Sequence, residues 1–68
     1  MSDHVYKVVE IVGTSEQSVS GAIDAAIAKA SASLRNLRWF EVAQIRGHIA
    51  NNKASHYQVT LKIGFTLE

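Results

Sequence analysis

The chain has 68 residues, 7 basic and 6 acidic, a formal charge of +1 at pH 7, and neither cysteine nor proline. A balance this even does not suit an electrostatic nucleic-acid binder, and without cysteine there is no disulfide, thiolate zinc site or cysteine nucleophile. A single domain of this length buries only about 60% of the surface its unfolded chain exposes, so self-association is expected to supply stability.

The opening Met1-Ser2-Asp3-His4 has no signal-peptide pattern, and the longest apolar stretches are too short to span a bilayer. A cytoplasmic protein without membrane contact is the expectation. Residues 4–12 are dense in β-branched residues and tyrosine (Val5, Tyr6, Val8, Val9, Ile11, Val12) and read as a first strand that Gly13 should stop. Thr14 with Gln17 three positions on has the form of a capping box, with Ser15 as the competing N-cap. Val19, Ala22, Ile23, Ala26, Ile27, Ala30 and Leu34 then recur at helical spacing, which predicts an amphipathic helix from about 15 to 35. Its apolar face is mostly alanine and permits close approach to a sheet.

The chain should turn near Asn36, run through a second strand to about Ile49, turn at Asn51-Asn52 and return as a third strand. In the last of these Tyr57, Val59, Leu61, Ile63, Phe65 and Leu67 alternate with Gln58, Thr60, Lys62, Gly64 and Thr66, a strict two-residue period. The second strand is less regular. Its apolar residues sit at even positions early (Phe40, Val42) and at odd positions later (Ile45, Ile49), which implies an extra residue, a β-bulge around Ala43. The bulge places Trp39, Glu41, Gln44, Arg46 and His48 together on the polar face. Without it, Gln44, Arg46 and His48 would enter the core unpaired, at roughly 1–3 kcal/mol each.

A three-residue turn at 51–53 would pair Ala50 with Ala54, Arg46 with Gln58 and His48 with His56; beyond the bulge, Glu41 meets Lys62 and Trp39 meets Gly64. Glycine opposite the indole leaves room for the ring, or for something stacked on it, to lie over the backbone. Trp39 is the only tryptophan, and a large aromatic on a polar face needs a partner, another subunit or a flat ligand. Arg46 and Gln58 cluster donors and acceptors, but about six residues along the strand from Trp39, roughly 20 Å. One small ligand reaches both groups only if the site is assembled across a subunit interface. One helix covers one face of a three-stranded sheet, so the face carrying Trp39 is the natural oligomer or ligand surface. His48 and His56 are two imidazoles without a third ligand, read as surface or interface residues with no metal assigned. Glu41 and Lys62 read as a cross-strand ion pair.

At this point the residues resemble a family. Glu10-Ile11-Val12-Gly13-Thr14-Ser15, Trp39-Phe40-Glu41-Val42, Ile45-Arg46-Gly47-His48 and Gln58-Val59-Thr60-Leu61-Lys62-Ile63-Gly64-Phe65 are similar, in order and spacing, to the motifs of the dodecins, over nearly the whole chain. The resemblance implies an α+β fold in one domain spanning 1–68: a β-α-β-β subunit whose three-stranded antiparallel sheet wraps one helix, assembled as a hollow homododecamer. It implies flavin binding (flavin mononucleotide, riboflavin or lumichrome) as ring pairs held between tryptophans of two protomers, for storage and protection from photochemistry. By motif, Trp39 is the stacking residue, Gln58 bonds the ring edge and Arg46 serves the flavin site. Gln44, from its inferred face alone, is a further candidate for ribityl contacts.

Some bacterial members carry a basic residue that contributes to coenzyme A binding where this chain has Thr66, which puts that second ligand in doubt here. Arg35 and Arg38 nevertheless keep a basic patch near the end of the helix. The alternative is a structural oligomer binding another ligand such as coenzyme A or ions. A flavoenzyme is disfavoured, because the sequence offers no obvious nucleophile or poised carboxylate pair and rings stacked on both faces leave little room for a substrate.

Overall fold

The computed structural model describes residues 4–67. The order of elements is β1 (Tyr6–Ser15), α1 (Val19–Ser33), β2 (Leu37–Ala50) and β3 (Lys53–Thr66). The strands form one antiparallel sheet in the order β1-β3-β2, with β3 in the centre. This is the expected β-α-β-β arrangement.

α1 lies across β1 and β3. Ala22, Ala26 and Ala30 are buried against Val59, Leu61 and Ile63, and Val9, Ile11, Val19, Ile23, Ile27, Leu34 and Leu37 pack around them. The alanines let the helix backbone sit close to the sheet, and Gly13 completes that fit. A Cβ at Gly13 would overlap the Ala22 carbonyl oxygen and lie 2.8 Å from Ala26 Cβ. Gly13 therefore does not stop β1, as the sequence suggested. It pairs with Val59 inside the strand, which continues to Ser15. The first strand also begins later than expected, at Tyr6.

The helix starts four residues after the expected position. Ser18 is the N-cap, its hydroxyl accepting from Gly21 N–H at 2.9 Å. Ser15 Oγ accepts from the amides of Gln17 (3.0 Å) and Ser18 (3.3 Å), making a turn ahead of the helix. Thr14 belongs to β1 and caps nothing, because it pairs with Gln58. At the other end Leu34 N–H returns to the Ala30 carbonyl at 2.8 Å. The chain then reverses through Asn36 at φ 62°, a left-handed conformation that asparagine tolerates.

The bulge in β2 stands where the phase switch put it, with the register slipping between Val42 and Gln44. A second slip, between Leu37 and Trp39, was not foreseen. The hairpin tip differs as well. Asn51 and Asn52, at φ 55° and 64°, form a two-residue turn, so Ala50 pairs with Lys53 and Ile49 with Ala54. A third slip, which leaves Ser55 unmatched, restores the expected pairs His48–His56, Arg46–Gln58, Glu41–Lys62 and Trp39–Gly64. The turn itself is one residue shorter than expected, yet the pairs beyond it agree.

β2 and β3 are 14 residues each and α1 is 15. At strand rise the hairpin runs about 46 Å, whereas the helix spans about 22 Å. The subunit is accordingly elongated, 56 × 20 × 13 Å. The helix cannot cover β2, so Phe40, Val42, Ile45 and Ile49 stay exposed although they share the phase that faces the core on β3.

Candidate functional site

The sheet face opposite α1 is arranged in cross-strand rows. From one end these are Tyr6–Thr66, Val8–Gly64–Trp39, Glu10–Lys62–Glu41, Val12–Thr60–Gln44, Thr14–Gln58–Arg46 and His56–His48. Alternation dictates the membership, since Val59, Leu61 and Ile63 turn the other way into the core. Two clusters stand out within it.

The first is aromatic. The Trp39 indole lies directly over Gly64, where a Cβ would overlap Cζ2, Cε2 and Cη2 of the ring. Gly64 thus acts as a floor on which the ring can lie flat against the sheet. The Tyr6 ring meets the indole edge-on, centroids 5.0 Å apart and planes at 70°, a favoured aromatic geometry. Trp39 remains 43% exposed even so. Arg38 Nε donates to Thr66 Oγ1 at 3.1 Å at the same end of the sheet.

The second cluster is polar. Arg46 Nε donates to Gln58 Oε1 at 2.8 Å. That bond fixes the carboxamide with its oxygen toward the guanidinium and its NH2 away from it. One lone pair of Oε1 and both N–H groups of Nε2 lie outside this bond. His48 and His56 lie beyond it with nearly parallel rings, 5.4 Å between centroids. No group of three or more potential metal ligands occurs among the described residues.

Six residues of β3 separate Gly64 from Gln58, so within one chain Trp39 and the Arg46–Gln58 pair stand about 20 Å apart. The structure therefore joins Arg46 to Gln58, sets Gln44 between the clusters opposite Thr60, and leaves Trp39 with Tyr6 at the far end. Tyr6 was not singled out from the sequence. Its signal was present: Tyr6, Val8 and Val12 alternate with the core-facing Val9 and Ile11, giving β1 two apolar faces where a half-exposed strand needs one. No helix among the described residues is long and apolar enough to cross a membrane.

A dodecin family model matches residues 5–68. The dodecin of Thermus thermophilus is 55% identical over 64 residues, covering 94% of this chain and 93% of that protein. Among solved structures, the tt0972 protein from Thermus thermophilus superposes with a TM-score of 0.93 at 53% identity, over 97% of each chain. Dodecin from Streptomyces davaonensis gives 0.94 at 48% identity, over 98% of each chain. The motifs, the fold and these similarities together show that the chain belongs to the dodecin family.

Proposed function

We propose that the protein stores flavin and shields it from photochemistry, binding flavin mononucleotide, riboflavin or lumichrome at interfaces between subunits of a homododecamer. The observation that carries this reading is the indole of Trp39, laid on Gly64, braced by Tyr6 and still exposed. Such a ring is a stacking platform for a flat heteroaromatic, and stacking of this kind contributes about 1–3 kcal/mol per ring. Two copies facing one another would clamp a pair of isoalloxazines between two indoles.

The ring edge needs a second contact. The pyrimidine side of an isoalloxazine presents alternating carbonyl and N–H groups, and the Gln58 carboxamide, fixed by Arg46, offers a donor and an acceptor to match. Because Gln58 and Trp39 of one chain are about 20 Å apart, the ring that stacks on one subunit's Trp39 meets Gln58 of another. Arg46 adds positive charge for a ring oxygen, and Gln44, midway along the face opposite Thr60, offers its carboxamide to the ribityl chain. A bound isoalloxazine supplies an excitable electron acceptor. The Trp39 indole, stacked on such a ring, would be the electron donor that quenches its emission. Stacking on both ring faces excludes a substrate, so storage fits better than turnover.

Two substitutions separate the roles, read by flavin fluorescence titration. Trp39→Ala weakens binding by about 1–3 kcal/mol and restores emission in whatever complex remains. Gln58→Ala weakens binding with quenching retained. Unchanged affinity in Trp39→Ala would remove Trp39 from the site, and loss of assembly in Gln58→Ala would make that residue an interface group first.

A further inference from the structure

The unforeseen slip in β2 bears on ligand choice. Leu37 packs with the core under α1, whereas Trp39, two positions on, lies on the opposite face. Residues two apart in a regular strand share a face, so Arg38 is the inserted residue. Its Nε donates to Thr66 Oγ1, and Thr66 is only 7% exposed. Thr66 lies opposite Tyr6, whose ring braces Trp39. The bulge and the hydroxyl together hold a guanidinium at the aromatic end of the sheet.

The partner in this bond is neutral, so it orients the arginine without cancelling its charge. It also engages Nε alone, leaving the two terminal nitrogens, the fork that guanidinium uses for phosphate oxygens, outside the bond. Arg46 differs in both position and role, since it lies about 20 Å along the sheet and orients Gln58.

Resting on the flavin reading above, we propose that Arg38, held by Thr66, is an anion subsite beside the Trp39 stack. It binds the phosphomonoester of a phosphorylated ring ligand and makes the protein favour flavin mononucleotide over riboflavin. The ribityl chain links a stacked ring to its phosphate, so the subsite must lie near the indole, as Arg38 does.

The test is a pair of fluorescence titrations of the assembled protein, one with riboflavin and one with flavin mononucleotide. The unsubstituted protein binds the phosphorylated ligand about tenfold or more tightly than riboflavin, the worth of a charge-assisted contact. That ratio falls as ionic strength rises. Arg38→Gln brings the ratio toward one, and Thr66→Val lowers it part-way by freeing the arginine. Inorganic phosphate competes with flavin mononucleotide but not with riboflavin. Equal affinities in the unsubstituted protein would overturn the subsite. So would a preference that survives Arg38→Gln or disappears with Arg46→Gln instead. Riboflavin alone tests the storage reading: if neither flavin binds, both fall, and if riboflavin binds without any phosphate preference, only the subsite falls.

Discussion

At residue scale the site depends on a side chain that is missing. Gly64 has no Cβ, and the Trp39 ring occupies the space a Cβ would need. Gly64→Ala therefore lifts or swings the indole off the sheet while β3 keeps its hydrogen bonds. Because Trp39 is the only tryptophan, its emission and near-ultraviolet circular dichroism report this directly. Both should change in Gly64→Ala, with flavin quenching reduced and secondary structure retained. An unaltered Trp39 signal would mean that the ring does not rest on Gly64 in solution. The pairing of Trp39 with Gly64 was read from a two-residue period, one phase switch and an expected three-residue turn; the turn is shorter, but the slip at Ser55 makes up the difference and the pair stands. Tyr6 was missed because β-branched neighbours on both sides concealed which face each residue of β1 takes. Arg38 and Thr66 were noted only as charge and as a departure from relatives; their hydrogen bond depends on a bulge whose phase switch, from Leu37 to Phe40, is masked by the apolar Trp39 between them.

At the scale of elements, close helix-to-sheet packing governs stability. The alanine stripe of α1 meets Gly13 of β1 with no space for a methyl group. Gly13→Ala pushes the helix outward and destabilises the subunit by about 1–3 kcal/mol, the usual cost of overpacking. Chemical denaturation measures that loss, and a stability equal to the unsubstituted protein would show that α1 sits farther from β1. Reading Gly13 as a strand stop was the natural error, since glycine commonly marks turns and only the three-dimensional contact reveals a close approach. The helix start was misplaced for a related reason. Thr14, Ser15 and Ser18 can all cap, and the choice fell to Ser18 once β1 extended to Ser15 to pair with β3. The bulge at Ala43 was legible because it reverses hydrophobic phase. The slip at the hairpin tip was not, since Ala50, Ala54 and Ser55 carry no strong preference for either face.

At the scale of the whole molecule, two surfaces await partners. One is the face carrying Trp39, the proposed ligand surface; the other is the row Phe40, Val42, Ile45 and Ile49, which the short helix leaves uncovered. Ile45 and Ile49 are 55% and 74% exposed, a poor state for branched aliphatic residues in an isolated subunit. Burial of this row between subunits is the expected remedy. Ile45→Glu places a charge in that contact and should yield smaller particles by sedimentation or native mass spectrometry; an unchanged mass would put the interface elsewhere. The proposed site would link assembly to binding, because Trp39 and Gln58, about 20 Å apart in one chain, could reach one ligand only across two subunits.

Flavin storage at subunit interfaces stands or falls on a flavin titration followed by fluorescence, with native mass determined on the same sample. Strong quenching is expected, saturating near about one flavin per chain, as two indoles clamping two rings require, on a dodecameric particle. A monomer that leaves flavin emission untouched would contradict both the assembly and the site.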